Sequence, residues 1–334
     1  MQFLLIQTAF TGDVILATAL AEKLHLSYPE AKIDFLLRKG NEGLLAGHPF
    51  IREVLVWDKR HDKLVNLLKI AARVRSRKYD AVINVHRFAS SGFITALSGA
   101  GQKIGFDKNP FSAFYTMKVK HCLAFPSGGG GHEINRNQEL IKHLTDSHPA
   151  MPRLYPSEED FRRVSQYKTG PYVCIAPASV WFTKQFPAIK WIEFIKRLDE
   201  HVKIYFIGSP ADRILCEEIL CGVGEKREFR SAENLAGSLS LLASAALMRD
   251  AKMNYVNDSA PLHIASAMDA PVTAVFCSTV PAFGFGPLSR QSFTVETKEK
   301  ISCRPCGLHG FKTCPEKHFR CAASIEPGQI LIPL

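Results

Sequence analysis

The sequence predicts an α/β protein built from two doubly wound domains with mostly parallel sheets. Three observations carry that prediction. Short apolar runs alternate with helical patterns from end to end, the grammar of a covered parallel sheet. The alternation restarts after a polar stretch near residue 170, where Pro149, Pro152 and Pro156 already mark a linker. At 334 residues, two domains is the natural division.

In the first half, residues 2–7 form an apolar strand, and 8–13 a turn containing Gly12. Residues 14–27 have helical spacing, with Leu16, Leu20 and Leu24 on one face. Strands are expected at 33–37, 54–57, 81–85, 103–106 and 117–123, and a short helix at 41–46. Residues 61–77 read as an amphipathic helix with Leu64, Leu67, Leu68 and Ala71 inward. A small-residue helix follows the strand at 81–85 and runs to Leu97. The run 127–131 is a flexible loop before a helix over 133–144. In the second half, strands are expected at 172–176, 203–207, 253–256 and 272–276, the last of them. Helices are expected at 188–200, from 211, at 239–248 and from Leu262. The domains are thus 1–168 and 169–334, two Rossmann-like halves facing across a cleft.

The net charge of +10 is uneven. Residues 1–168 hold 24 Lys and Arg against 16 Asp and Glu, and residues 169–334 hold 18 against 16. The first half is therefore suited to an anionic partner: a phosphorylated glycan, a membrane surface or, weakest for want of a motif, nucleic acid. No run approaches the length of a membrane span, and the apolar start lacks a basic leader, so the chain reads as cytoplasmic. The markers of dinucleotide oxidoreductases, P-loop NTPases, zincins and α/β-hydrolases are missing. Five of the nine cysteines (Cys122, Cys174, Cys216, Cys221 and Cys277) read mostly as core residues.

Four stretches could carry chemistry. Asp13, behind Gly12, ends the first strand and opens a helix. It is a candidate general base or a plain helix cap. The aromatic loop 177–187 carries Ser179, Thr183 and Lys184, two hydroxyls and a cation suited to phosphate. Asn257, Asp258 and Ser259 close a strand, and Pro261 fits the first turn of the next helix, whose free amides make an anion site. Asp258, Ser259 and His263 could meet a sugar or a diphosphate there, and His263 could equally be a buried structural histidine. Cys303, Cys306, Cys314 and Cys321 suit a structural zinc or an iron–sulfur cluster, or form a loop of reduced thiols.

In order, these pieces resemble glycosyltransferase family 9, the ADP-heptose:lipopolysaccharide heptosyltransferase-like enzymes. The resemblance rests on Thr11-Gly12-Asp13-Val14, on Ser179 through Lys184 to Pro187, and on Asp258-Ser259 through His263 and Ala265. Phe285-Gly286-Pro287 and the cysteine-rich tail add to it. It implies a GT-B-like fold with an acceptor-binding first domain and a nucleotide-sugar-binding second one. It implies inverting transfer of heptose, or a related sugar, from ADP-heptose to a lipopolysaccharide inner-core acceptor, without a catalytic metal. Asp13 would deprotonate the acceptor, while Lys184 and the helix at Ser259 would neutralise the diphosphate. Thr183 would hold a phosphate oxygen, and Asp212 would lie near the nucleoside. The acceptor would be a phosphorylated lipid-linked glycan, met at the cytoplasmic face of the inner membrane. Ala260 replaces the family's glycine, so a need for positive φ there would weaken donor binding. A different nucleotide-sugar donor, or a non-catalytic binding protein of the same fold, are the alternatives.

Overall fold

The computed structural model describes residues 1–122, 131–224 and 232–331, so most of the loop expected at 127–131 lies outside the described residues. The chain divides into two compact units, Met1–Tyr155 and Pro156–Leu334.

The first unit runs β1 (Gln2–Ile6), α1 (Thr11–Ser27), β2 (Lys32–Arg38), β3 (Ile51–Trp57), α2 (Lys63–Ser76), β4 (Ala81–Asn84), α3 (Ala89–Leu97), β5 (Gln102–Phe106), β6 (Met117–Val119) and α4 (Glu133–Gln138). One six-stranded parallel sheet takes the order β3-β2-β1-β4-β5-β6. The helices cover both faces, so β1 reads Phe3-Leu4-Leu5-Ile6 without alternation, and all four side chains are fully buried.

The second unit runs α5 (Glu158–Val164), β7 (Tyr172–Ala176), α6 (Ala188–Ile195), β8 (Lys203–Phe206), α7 (Arg213–Val223), β9 (Ala232–Asn234), α8 (Leu241–Arg249), β10 (Met253–Asn257), α9 (Ala260–Ala267), β11 (Val272–Phe276), β12 (Ser292–Glu296) and α10 (Arg320–Ala323). Its parallel sheet is ordered β12-β11-β10-β7-β8-β9, the same winding as the first. In each sheet the first and fourth strands of the unit lie side by side. Between them the strand order reverses, and ligands of doubly wound sheets collect outside the carboxyl ends there. One core of this unit joins Trp191, Phe194 and Phe206 to Tyr255. Among the described residues no helix is long and apolar enough to cross a membrane.

Several expectations need correction. The units part after Tyr155, not after 168: α5 packs on α8 of the second unit and is capped by Ser157, whose hydroxyl accepts Asp160 N–H while Asp160 accepts Ser157 N–H. The helix expected over 133–144 stops as a helix at Gln138 and continues in turns. The strand at 272–276 is not the last, since β12 pairs beyond it. Cys122 and Cys221 are exposed. On α2 the buried residues are Ile70, Ala71 and Val74, while Leu64 and Leu68 face solvent.

The first unit should be sensitive to acid. Burial pushes His48, which sits 3.5 Å from Glu22, down to about 4. It pushes His121 down to about 4 and His86 to about 3, aided at both by neighbouring cations. The unfolded chain takes up these protons near the ordinary histidine value, and the folded chain only at the lower ones. Stability is therefore lost as pH falls through that window. Buried Glu22, whose carboxyl is raised, opposes the trend in part. The urea midpoint followed by Trp57 fluorescence should drop between about pH 7 and about pH 5. A flat midpoint would mean that these imidazoles are not buried neutral.

Candidate active site

In the second unit the site forms at the reversal between β7 and β10. The loop after β7 carries Lys184, and β10 ends at Asn257, next to Asp258. Because the two strands pair in register, Lys184 Nζ reaches Asp258 Oδ2 at 2.7 Å. Both side chains are largely buried. Asp258 also accepts from Thr279 Oγ1 at 2.6 Å. Asn257 fixes the loop at both ends: its Nδ2 donates to Pro177 O at 2.6 Å, and its Oδ1 accepts Phe186 N–H at 3.0 Å.

Ser259 is the N-cap of α9, with extended backbone, and Pro261 falls in its first turn. Pro261 has no N–H and Leu262 N–H donates to Ser259 O at 3.1 Å, so the amides this turn offers are those of Ser259 and Ala260, directly after Asp258, and a cation and a helix N-terminus share one strand edge. Ala260 is not among the residues with positive φ, so the departure from glycine carries no backbone strain. His263 is buried within α9, its ring edge-on to Phe285 at 6.5 Å.

Other expected residues have structural work. Thr183 is 1% exposed; its Oγ1 accepts Phe311 N–H at 2.8 Å and Ser278 Oγ–H at 3.0 Å, so it anchors the loop from within. Ser179 turns its own loop, its hydroxyl accepting Trp181 N–H at 3.4 Å and its carbonyl the Gln185 side chain at 2.6 Å. Asp212 closes a capping box, accepting Ser209 N–H at 2.7 Å and Ser209 Oγ–H at 2.8 Å.

The four thiols of the cysteine-rich segment lie near one another: burial, then Cys306, Cys314 and Cys303, push the Cys321 thiol up to about 11. Among the described residues no group of three or more His, Cys, Asp or Glu side chains is placed to hold a metal ion. Cys321 turns into the core from α10, Cys306 Sγ donates to Cys303 O at 3.2 Å, and Cys303 Sγ lies 3.9 Å from His318 Nε2. Cys314 is half-buried nearby. The segment braces the lysine loop. Arg304 Nε donates to Cys277 O at 2.7 Å, and one of its terminal nitrogens donates to Thr279 O at 2.7 Å and pairs with Glu296 at 2.5 Å. Thr183 N–H donates to Phe311 O at 3.1 Å, closing a two-bond bridge. Thr279, Arg304 and Phe311 were not candidates from sequence. The only hints were a hydroxyl just past a strand end and a lone arginine inside Cys-x-x-Cys.

Gly310 makes the bridge possible. Its φ is +74°, and a Cβ there would stand 2.8 Å from Thr183 Oγ1 and 3.3 Å from Lys184 Cγ. Gly310→Ala should cost about 1–2 kcal/mol of local conformational energy. It should raise the donor KM more than it lowers kcat, because it displaces the lysine loop and not the attacking group. An unchanged donor KM would show that the bridge does not position Lys184.

In the first unit the site edge is basic. Asp13, in the first turn of α1, accepts Phe10 N–H at 3.1 Å, and Gly12 precedes it in the same turn. Thr8 Oγ1 meets His86 Nδ1 at 2.9 Å across the reversal between β1 and β4. Lys59 Nζ donates to Thr8 O at 2.7 Å and lies 4.6 Å from the Trp57 ring centroid. Burial, then Arg38 and Lys63, push Lys59 down to about 8. Burial also lowers Arg38, a shift that neighbouring Asp13 resists. A carboxylate among cations thus sits where a ligand of this sheet would lie.

Two Rossmann-like units with matched winding, one ending in a carboxylate among cations and the other in a buried lysine beside a helix N-terminus, define a GT-B-like glycosyltransferase. Residues 67–317 match the family model "Glycosyltransferase family 9 (heptosyltransferase)", and the chain belongs to that family. It is 25% identical to lipopolysaccharide heptosyltransferase 1 of Pseudomonas aeruginosa, over 92% of this chain and 86% of that one. It is 28% identical to an Escherichia coli lipopolysaccharide heptosyltransferase 3, over 81% and 82%. Its fold superposes on the E. coli ADP-heptose lps heptosyltransferase II with a TM-score of 0.80 at 20% identity, covering 99% of this chain and 96% of that one.

Proposed function

We propose that this glycosyltransferase moves heptose from ADP-heptose to a lipopolysaccharide inner-core acceptor with inversion. The observation that carries the reading is the Lys184–Asp258 pair at the strand edge where α9 begins. A departing diphosphate needs positive charge, and the lysine and the helix amides supply it together. That charge comes from the chain itself, so the reading asks for no catalytic metal. Asp13 takes the proton of the acceptor hydroxyl, and the cations around it suit a phosphorylated, lipid-linked acceptor. The first unit holds the acceptor and the second the nucleotide sugar. The enzyme works at the cytoplasmic face of the inner membrane. The lipopolysaccharide enzymes that the chain resembles support this choice of sugar and acceptor.

Calorimetry with ADP, UDP and GDP at low salt tests the donor. Selective ADP binding supports the reading. Selective binding of UDP or GDP would move the sugar while keeping the class, and binding of none would favour a protein that has lost its donor site. Turnover that survives exhaustive chelation is expected; turnover abolished by it and restored by one divalent ion would overturn the metal-free step.

A further inference from the structure

We propose that the solvent face of α2 docks the first unit on an anionic lipid surface; the proposal rests on the reading above only in taking the acceptor to be lipid-linked. The helix buries one side and leaves an aliphatic row on the other. At 100° per residue, Leu67, Ile70, Ala71 and Val74 fall on the sheet side. Leu64, Val65 and Leu68 fall toward solvent, 72%, 51% and 59% exposed, with Ala72 exposed beyond them. Single exposed aliphatics need no explanation, but three on adjacent turns of one helix do.

The charge around the row names the occupant. Residues 63–79 contain no Asp or Glu and six Lys or Arg. Arg73 and Arg77 pair with Glu53, and Arg75 donates to Leu97 O. Lys63 and Lys69, which flank Leu64 and Leu68, form no ion pair among the described residues. An aliphatic stripe rimmed by unpaired cations matches a helix lying in a headgroup layer, and it matches anionic lipid better than neutral lipid. A protein partner would be expected to meet carboxylates along the helix as well, and after the N-cap Asp62 residues 63–79 hold none.

The position is consistent with the chemistry. α2 begins a few residues past the carboxyl end of β3, at the sheet edge that carries Asp13 and His86. Phe88, 66% exposed, precedes α3, which packs beside α2, at that same edge. A lipid surface met there would present a membrane-anchored hydroxyl to the edge that holds the base.

The test is co-sedimentation of the full chain with phosphatidylcholine vesicles, with and without phosphatidylglycerol. The wild type should bind the anionic vesicles and release them as salt rises. Leu64→Ser/Leu68→Ser, with an unchanged circular dichroism spectrum, should bind at least about tenfold more weakly. Lys63→Gln/Lys69→Gln should lose the preference for anionic vesicles. Wild type that stays in the supernatant, or a leucine variant that binds equally well, would overturn the proposal. So would a concentration-dependent dimer that the leucine changes dissolve, because a second copy would then cover the face. ADP binding measured on the same samples separates the two readings: vesicle binding without ADP binding fails the donor assignment alone.

Discussion

Asp13→Asn is expected to lower turnover by about 10²–10⁴-fold, the usual contribution of a general base. The change removes the charge and little else. The Asn carbonyl oxygen can still accept Phe10 N–H, the bond that Asp13 makes at 3.1 Å, so the start of α1 keeps its cap. Donor affinity should hold, because the residues assigned to the diphosphate belong to the second unit. Asp13→Ala should lose the same turnover and, in addition, about 1 kcal/mol of stability with the cap. Steady-state ADP release in the presence of acceptor reads the first effect, and urea denaturation the second. Undiminished turnover in the Asn variant would leave Asp13 a helix cap and nothing more. The neighbouring cations add a second readout. Arg38 lies close enough for Asp13 to oppose its burial-driven shift, so the carboxylate sits in a basic surround. A base of that kind gives a kcat/KM that falls on the acid side of its pKa, and the Asn variant should lose that limb.

Most of the fold was legible because buried parallel strands announce themselves. Runs such as Phe3-Leu4-Leu5-Ile6 and Tyr255-Val256 are apolar throughout and are bounded by turn residues. The elements missed were those whose burial is partial. β12, Ser-Phe-Thr-Val-Glu, buries only Val295 fully, and β9 is three residues of Ala-Glu-Asn. Ser157 and Asp160 have the capping-box spacing that opens α5, inside a stretch whose prolines read as a linker. On α2 the spacing allowed two apolar faces, Leu64-Leu68-Ala71 and Leu67-Ile70-Val74, and only contact with the sheet chooses between them. Within the site, Lys184 and Asp258 were each recognisable by type and place. Their pairing was not, because it depends on β7 lying beside β10 although Pro177 and Asn257 are 80 positions apart in the chain. Spacing shows that four thiols are near in sequence, but not that Cys321 turns into the core.

Lys184→Ala should separate into two effects that a second substitution can pull apart. The first is on the fold. Asp258 would be left buried with the Thr279 hydroxyl as its remaining hydrogen-bond partner among the described residues. Stranding a buried carboxylate in this way costs about 3–5 kcal/mol. The second is on the donor. A charge-assisted hydrogen bond to the diphosphate is worth about 1.5–3 kcal/mol, so ADP should bind about 10- to 150-fold more weakly. Adding Asp258→Asn to Lys184→Ala removes the stranded charge and should recover most of the lost stability. It should not recover donor affinity, since no cation returns. Asp258→Asn alone frees the lysine and keeps its charge, so ADP binding should stay within a few-fold of wild type. Lys184→Arg keeps the charge on a longer, planar group and should retain part of the affinity. Denaturation and calorimetry on these variants decide the matter. If the double variant regains ADP binding along with stability, Lys184 serves the fold of the loop, and the positive charge that meets the diphosphate comes from the α9 amides or from another side chain.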